Sequence, residues 1–135
     1  MTRDDLKEYK YNQEWIKGRL EYIEEYRTSI TNITSILSDM PKGSKQVQDS
    51  MAEKIAELID MVNELLDDVL AENKKQKAIT DQLKLVEQPY RLILEKMYIQ
   101  GKSLVFVASE MNYTYKYVIN MHGTALNKFD EINKL

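Results

Sequence analysis

The fold is decided near the carboxyl end of the chain, where residues 103–129 read SLVFVASEMNYTYKYVINMHGTALNKF. Ser103 can cap a helix of about eight residues, which ends before residue 112. Residues 112–113 then form a two-residue turn, and Thr114 can cap a longer helix that reaches towards Phe129. The sequence therefore predicts a short helix, a tight turn and a longer helix, which is the outline of a helix-turn-helix.

The longer predicted helix divides into two faces when its residues are placed at about 100° per position. The inward face, which should pack on the preceding helices, consists of Val118, Met121, Ala125 and Phe129. The outward face consists of Lys116, Asn120, Gly123 and Asn127, with Ile119 and Thr124 on its flanks. Two tyrosines lie in the first turn, the part of a recognition helix that usually reaches base edges. We therefore expect the outward face to suit the major groove of DNA.

Eight residues of this region are candidate DNA-binding residues. They are Lys102, Ser103, Thr114, Tyr115, Lys116, Tyr117, Ile119 and Asn120. Asn120 can pair bidentately with adenine, and Lys116 can pair with guanine or with a phosphate. Ile119 and the tyrosine rings can contact thymine methyl groups. Phosphate oxygens can be bound by the tyrosine hydroxyls and by Thr114, Lys102 and Ser103, the last two near a helix N-terminus.

A further helix is predicted before this motif, between Pro89 in its first turn and Gly101 at its end. Its broad apolar face consists of Leu92, Ile93, Leu94, Met97 and Tyr98. We expect Tyr98 and Tyr113 to fill the core between the helices. We also expect His122 to be a packed, hydrogen-bonded histidine rather than a ligand.

The amino-terminal part predicts two long helices joined by a loop at residues 39–45, DMPKGSK. The first helix covers residues 4–38, with Thr2 or Asp4 as its N-cap. The second begins after Ser44 or Ser50, and Ser50 can form a capping box. The second helix carries a coiled-coil seam of Met51, Ile55, Leu58, Val62, Leu65 and Val69. Three further residues widen that seam: Ile59, Leu66 and Leu70.

The short loop favours an antiparallel hairpin, so the predicted fold class is all-α. Residues 1–88 are expected to form a coiled-coil-like arm, and residues 89–135 a small helix-turn-helix domain. The widened seam leaves apolar surface for further helices, so we expect a homodimer or a higher oligomer through the arm. Whether the arms pair in parallel, antiparallel or as a four-helix bundle stays open.

Charge is distributed unevenly along the chain. Residues 1–88 contain 13 Lys and Arg against 18 Asp and Glu, whereas residues 89–135 contain 6 against 4. If nucleic acid is the partner, it should therefore meet the carboxyl-terminal part, and the acidic part should face away from it.

Residue types disfavour several classes of protein. The chain has no cysteine and one histidine, which leaves no thiol nucleophile and no Cys/His metal site. It shows no phosphate-binding glycine loop and no pair of carboxylates facing each other across a cleft. We therefore expect a protein that is not an enzyme and uses no cofactor. No apolar run approaches the ~20 residues of a membrane span, and the N-terminus has no signal-peptide core, so we expect no membrane partner and a cytoplasmic protein.

Residues 103–129 resemble the helix-turn-helix of bacterial sigma factor region four. There a Leu-x-x-Val/Ile-Ala/Gly helix precedes a Thr- or Ser-capped recognition helix that ends in Ala-Leu. Residues 40–129 are similar to small phage proteins of the ArpU and RinA type. The corresponding motifs read PKGS (41–44), YIQGKS (98–103) and NYTYKYVINMHGTAL (112–126). Val105 and Phe106 stand where that group has an acidic pair, which would suit a protein contact.

The resemblance implies a transcriptional regulator that activates late or packaging genes of a phage inside its bacterial host. Its partners would be double-stranded DNA and RNA polymerase. Two alternatives stay open. A DNA-packaging protein of the small terminase type also combines a helix-turn-helix with an oligomerising coiled coil. A protein-interaction module would bind RNA polymerase or a host factor without touching DNA.

Overall fold

The computed structural model describes residues 1–38 and 45–134, and its description of side chains leaves out residues 36–38 and 45–47. Two long helices come first, α1 (Arg3–Ser38) and α2 (Lys45–Leu83). Three shorter helices follow: α3 (Tyr90–Leu94), which continues into a π-helical turn (Glu95–Ile99), α4 (Leu104–Met111) and α5 (Tyr115–Ile132). The predicted all-α class and the two long helices are thereby confirmed. The predicted loop residues Pro41, Gly43 and Ser44 lie outside the described residues.

The chain divides into two compact units. The first unit joins Met1–Gln13 to Glu72–Leu135, and the second unit is Glu14–Ala71. These limits differ from the division predicted between residues 88 and 89. The start of α1 and the end of α2 belong to the same unit as α3, α4 and α5. The sequence does not reveal this, because residues 1–13 continue the apolar periodicity of the rest of α1.

The starts of the two long helices show one correct and one wrong prediction. Thr2 directly precedes α1, and its backbone N–H donates a 2.8 Å hydrogen bond to the Asp5 carboxylate. The Asp5 N–H donates in turn to the Thr2 carbonyl oxygen at 3.0 Å. Ser50, by contrast, lies inside α2, which has already begun at Lys45, so the capping box predicted there is wrong. Lysine and glutamine upstream of Ser50 are good helix formers and let α2 start earlier.

The first unit has one apolar core to which all five helices contribute. Its largest fully buried side chains are Leu6, Ile79, Val86, Ile93, Leu94, Val107, Val118 and Phe129. On α3 and the turn after it, four of the five predicted apolar residues are buried, and Leu92 is half-buried. Gly101 ends this segment as predicted, with a φ of 71° that glycine adopts without steric cost. Pro89 caps α3 instead of lying in its first turn.

The second unit buries few side chains. Among its described residues, only Ile23 and Ile30 are buried, and both lie on α1. The Tyr26 hydroxyl donates a 2.7 Å hydrogen bond to the Glu57 carboxylate and so links α1 to α2. This hydrogen bond raises the pKa of Tyr26 to about 12. Two helices cover only a narrow stripe of each other, which leaves much of the apolar surface of α2 exposed.

Candidate nucleic-acid interface

The two helices of the predicted motif are each started by a hydroxyl side chain. Ser103 Oγ accepts a 3.2 Å hydrogen bond from the Phe106 N–H at the start of α4. Thr114 Oγ1 accepts a 3.2 Å hydrogen bond from the Tyr117 N–H at the start of α5. Each hydroxyl satisfies a backbone donor that has no partner inside its own helix. Both predicted N-caps are confirmed.

The turn between α4 and α5 is closed at Asn112. This residue adopts the left-handed conformation with a φ of 59°, which asparagine tolerates better than most residues. The Tyr113 N–H then donates a 3.0 Å hydrogen bond back to the Ala108 carbonyl oxygen. This pattern ends α4 within two residues of the next N-cap and fixes where α5 begins.

α5 has the two faces that its sequence predicts. The predicted inward residues Val118, Met121, Ala125 and Phe129 are all buried in the core of the first unit, together with Leu126. Six candidate DNA-binding residues are exposed at the N-cap and in the first turns of α5: Thr114, Tyr115, Lys116, Tyr117, Ile119 and Asn120. The structure therefore brings these six residues together on the surface at one end of a single helix.

One tyrosine near this end of α5 is more exposed than predicted. Tyr98 is buried, as expected, but Tyr113 is 37% exposed and does not fill the core. Its ring contacts the Tyr117 ring edge to face, with centroids 5.0 Å apart. Because Tyr113 follows the left-handed Asn112, its side chain is turned out of the helix pair. The exposed aromatic surface thus includes Tyr113, which the sequence assigned to the core.

Lys102 and Ser103 have local partners. Lys102 Nζ lies 3.0 Å from the Glu110 carboxylate, and Lys96 Nζ lies 3.1 Å from it. The two ammonium groups lower the pKa of Glu110, with Lys102 as the larger cause. Lys102 Nζ also lies 5.0 Å from the centre of the Phe106 ring. Lys102 and Lys96 share this one carboxylate, so the three groups together keep a net charge of +1. The exposed Ser103 hydroxyl can still donate a hydrogen bond while it caps α4.

The surroundings of the Lys116 ammonium group differ from those of Lys102. Among the residues that the structure describes, no carboxylate lies within ion-pair distance of its ammonium group. The side chain is exposed and one residue away from the positive end of the α5 dipole at Tyr115. An anion that approaches this end of α5 would meet an unneutralised cation and the backbone N–H groups of the first turn.

The other end of the outward face of α5 contacts the N-terminal segment. Arg3 Nε lies 2.5 Å from the Asp130 carboxylate, and Arg3 also donates a hydrogen bond to Asn127 Oδ1. Burial alone would raise the pKa of Asp130, but the hydrogen bonds from Arg3 hold it below its usual value. Asn127 was predicted on the outward face. Its side-chain oxygen therefore already accepts a hydrogen bond from within the protein. A local sequence pattern could not predict these contacts, because the residues lie more than a hundred positions apart.

The single histidine of the chain contacts a tyrosine beside the core. His122 Nε2 lies 2.8 Å from the Tyr98 hydroxyl oxygen, and the two rings are stacked with centroids 5.8 Å apart. Burial lowers the pKa of His122, and cations on α1 lower it further. The prediction of a packed, hydrogen-bonded histidine is confirmed.

This histidine predicts a pH-dependent stability. Below about pH 6.5 the unfolded chain binds a proton at His122, while the folded chain binds it only at lower pH. The free energy of unfolding should therefore fall as the pH drops from about 7.5 to about 5.5. Urea midpoints over this range, for the native chain and for His122→Gln, measure the effect. Glutamine keeps a hydrogen-bonding partner for Tyr98 but does not titrate, so equal losses in both proteins would contradict the prediction.

Comparison of the chain with protein-family models, with curated proteins and with solved structures finds no match. In the described part of the chain, no helix combines the length and the apolar character that crossing a membrane requires. The described residues also contain no group of three or more His, Cys, Asp or Glu side chains placed to hold a metal ion.

Proposed function

We propose that this chain is a DNA-binding transcription regulator of the phage type, which reads double-stranded DNA with the first turns of α5. The observation that carries this proposal is the exposed end of α5, where Lys116 and Asn120 lie near Tyr115 and Tyr117. Neither the Lys116 nor the Asn120 side chain has a hydrogen-bond or ion-pair partner among the residues that the structure describes. An amide and a cation on one helical face suit hydrogen bonding to base edges in the major groove. The opposite face of the helix is buried, so α5 is held in place for such a contact.

The proposed partners follow from the same surface and from the resemblance. Double-stranded DNA would lie on α5, and RNA polymerase in the cytoplasm of a bacterial host would be the second partner. The target genes would be late or packaging genes. The acidic second unit would stay away from the phosphates and provide self-association.

The affinity of this chain for DNA should depend less on salt concentration than the affinity of a strongly basic regulator does. Lys102 is paired with Glu110, so Lys116 is the main unpaired cation beside the proposed DNA-reading residues. Each phosphate contact made by a cation steepens the dependence of log affinity on log salt by ~0.9. We therefore expect a shallow salt dependence, with most specificity coming from Asn120 and the aromatic side chains.

Reversing the charge of Lys116 and truncating Asn120 should weaken specific binding. The double variant Lys116→Glu plus Asn120→Ala is expected to lose at least about tenfold in affinity, since one bidentate base contact contributes ~1–3 kcal/mol. A footprint on DNA flanking the protein's own gene, repeated at several salt concentrations, measures the loss. Both positions are exposed, so the circular dichroism spectrum should be unchanged.

A matched control lies on α2. Asn73→Ala plus Lys74→Glu makes the same two substitutions at exposed neighbours far from α5 in sequence and should leave the footprint intact. Lys102→Gln, added separately, should leave the salt slope unchanged if Glu110 is the partner of Lys102 in the complex as well. Equal footprints for the α5 variant and the α2 control would contradict the proposal that α5 reads DNA directly.

A second candidate function is supported by the exposed side chains of α4. Val105 is 64% exposed and Phe106 is 50% exposed, which is unusual for apolar residues in the first helix of such a motif. They suit a protein-interaction module that binds RNA polymerase or a host factor. If the native chain gives no footprint even at low salt, this function replaces DNA reading. A ring-sized mass in light scattering would instead favour a packaging protein of the small terminase type.

A further inference from the structure

The start of α1 separates its positive and negative side chains around the helix. One side carries a basic stripe that consists of Arg3, Lys7 and Lys10, which lie within about 60° of one another. The acidic side chains of the same turns lie about 100° or more from the middle of this stripe: Asp4, Asp5 and Glu8. The Glu8 carboxylate is directed at α2, where it lies 3.6 Å from Lys75 Nζ. The basic stripe therefore occupies a side of α1 of its own.

Contacts at its two ends place the basic stripe beside α5. At one end, Arg3 donates a hydrogen bond to Asn127 Oδ1 on the outward face of α5. At the other end, Lys10 Nζ lies 6.0 Å from the centre of the Tyr98 ring. The Tyr98 hydroxyl oxygen in turn lies 2.8 Å from His122 Nε2 on α5. The stripe therefore extends from the last turns of α5 back towards the first turns, which carry the candidate DNA-binding residues.

The position of Lys7 follows from the helical register and from its electrostatic effect. Lys7 lies one turn after Arg3 on the same side of α1. Burial is the main cause that lowers the pKa of His122, and the positive charges of Lys7, Lys10 and Arg3 lower it further. All three cations of the stripe are thus close enough to α5 to act on its histidine.

Two of these three cations are not neutralised. Arg3 pairs with Asp130, but in the described part of the chain no carboxylate lies within ion-pair distance of Lys7 or Lys10. The Lys7 side chain is exposed, and that of Lys10 is half-buried. The stripe ends one turn after Lys10 at Glu14, which has the opposite charge. When a recognition helix lies in the major groove, neighbouring elements meet the sugar–phosphate backbone beside the groove, where free ammonium groups suit phosphates.

We infer that Lys7 and Lys10 bind phosphates of the DNA strand that passes beside α5 while α5 lies in the major groove. Such contacts carry no sequence information, but they fix the position and the register of α5 on the duplex. The inference rests on the proposed function, because it requires DNA on α5. If Lys116 also contacts a phosphate, three cations give a salt slope of ~2.7, which is shallow beside the ~10 of a regulator with many phosphate contacts.

The variant Lys7→Gln plus Lys10→Gln tests these contacts on the full chain. Its affinity is measured at several salt concentrations for DNA flanking the protein's own gene and for unrelated DNA of equal length. The salt slope should fall by ~1.8, and binding to both DNAs should weaken by the same factor, because phosphates carry no sequence. The matched control, Lys74→Gln plus Lys77→Gln, removes two exposed lysines at the same spacing from the side of α2 turned away from the core. The control should keep the native slope.

His122 reports the position of the stripe without any DNA. Nuclear magnetic resonance of its ring protons, at low ionic strength, gives the pH at which it titrates. Removing the charges of Lys7 and Lys10 should raise this pH, because those charges lower the pKa of His122 in the native chain. The Lys74→Gln plus Lys77→Gln control should titrate like the native chain. An unchanged titration in the α1 variant would show that the stripe does not lie beside α5 and would overturn the inference.

Failure of this inference is distinct from failure of the proposed function. If the α1 variant keeps the native slope while Lys116→Glu plus Asn120→Ala loses its footprint, α5 reads DNA without the basic stripe. If the α1 variant loses slope while the α5 variant keeps its footprint, the phosphate contacts stand and reading by α5 fails. Weakening confined to the specific DNA would overturn the phosphate role of Lys7 and Lys10. A native chain that binds neither DNA would overturn both proposals.

Discussion

Replacing Phe129 by alanine is expected to lower the free energy of unfolding by about 3–5 kcal/mol, the usual range for a buried phenylalanine. The Phe129 side chain is fully buried on the inward face of α5, in the same core as Val118 and Val107. Truncation removes apolar contacts and leaves a cavity that the surrounding helices can fill only in part. The midpoint of urea unfolding, followed by circular dichroism, measures the loss.

The chain contains one other phenylalanine, which makes a matched control. Phe106 is half exposed on α4, and its ring contacts the Lys102 ammonium rather than the core. Phe106→Ala should therefore cost less than about 1 kcal/mol, in the range of surface substitutions. If the two variants unfolded at similar urea concentrations, the placement of α5 on the core would be wrong.

The helix-turn-helix was predictable because its signals are local. Ser103 and Thr114 are strong N-caps, and Asn112 tolerates the left-handed conformation that ends α4. The periodicity of apolar residues then determines which face of α5 is buried. None of these inferences needs information from outside a window of about 18 residues, so they hold without knowledge of the tertiary structure.

The errors arise where a distant or a competing contact decides the conformation. Tyr113 is large and aromatic, which suggested the core, but the turn at Asn112 leaves it partly exposed. Lys102 stays a predicted phosphate contact, but the sequence did not show its ion pair with Glu110 from the far end of α4. A helical register does not show that pair, because Lys102 precedes the N-cap of α4 and so lies outside the helix that contains Glu110.

The role of the N-terminal segment has no local signal at all. Arg3 pairs with Asp130, and the Gln82 side-chain amide donates hydrogen bonds to the carbonyl oxygens of Met1 and Phe129. Each of these contacts joins parts of the chain that are far apart in sequence. The outward face of α5 is affected too, since the Asn127 side-chain oxygen accepts a hydrogen bond from Arg3.

The second large effect is therefore expected at the start of α1. Leu6→Ala should lower the free energy of unfolding by about 2–5 kcal/mol, because Leu6 is fully buried in the core that also holds Ile79 and Phe129. A boundary between residues 88 and 89 would instead place Leu6 in a separate arm. Truncating Leu6 would then leave the nuclear magnetic resonance signals of α5 unchanged. Urea unfolding followed by nuclear magnetic resonance signals of Val118 and Phe129 separates the two cases.

Leu85 provides the matched control for this substitution. It is the same residue type in the same unit, but it is 69% exposed, so Leu85→Ala should cost less than about 1 kcal/mol. If Leu6→Ala shifts the signals of α5 and lowers the urea midpoint while Leu85→Ala does neither, then residues 1–13 are part of the DNA-reading unit. Deleting them should then weaken the proposed DNA binding, although none of them belongs to the candidate interface on α5. Unchanged α5 signals in Leu6→Ala would support the boundary predicted at residue 88, with the helix-turn-helix as an independent domain.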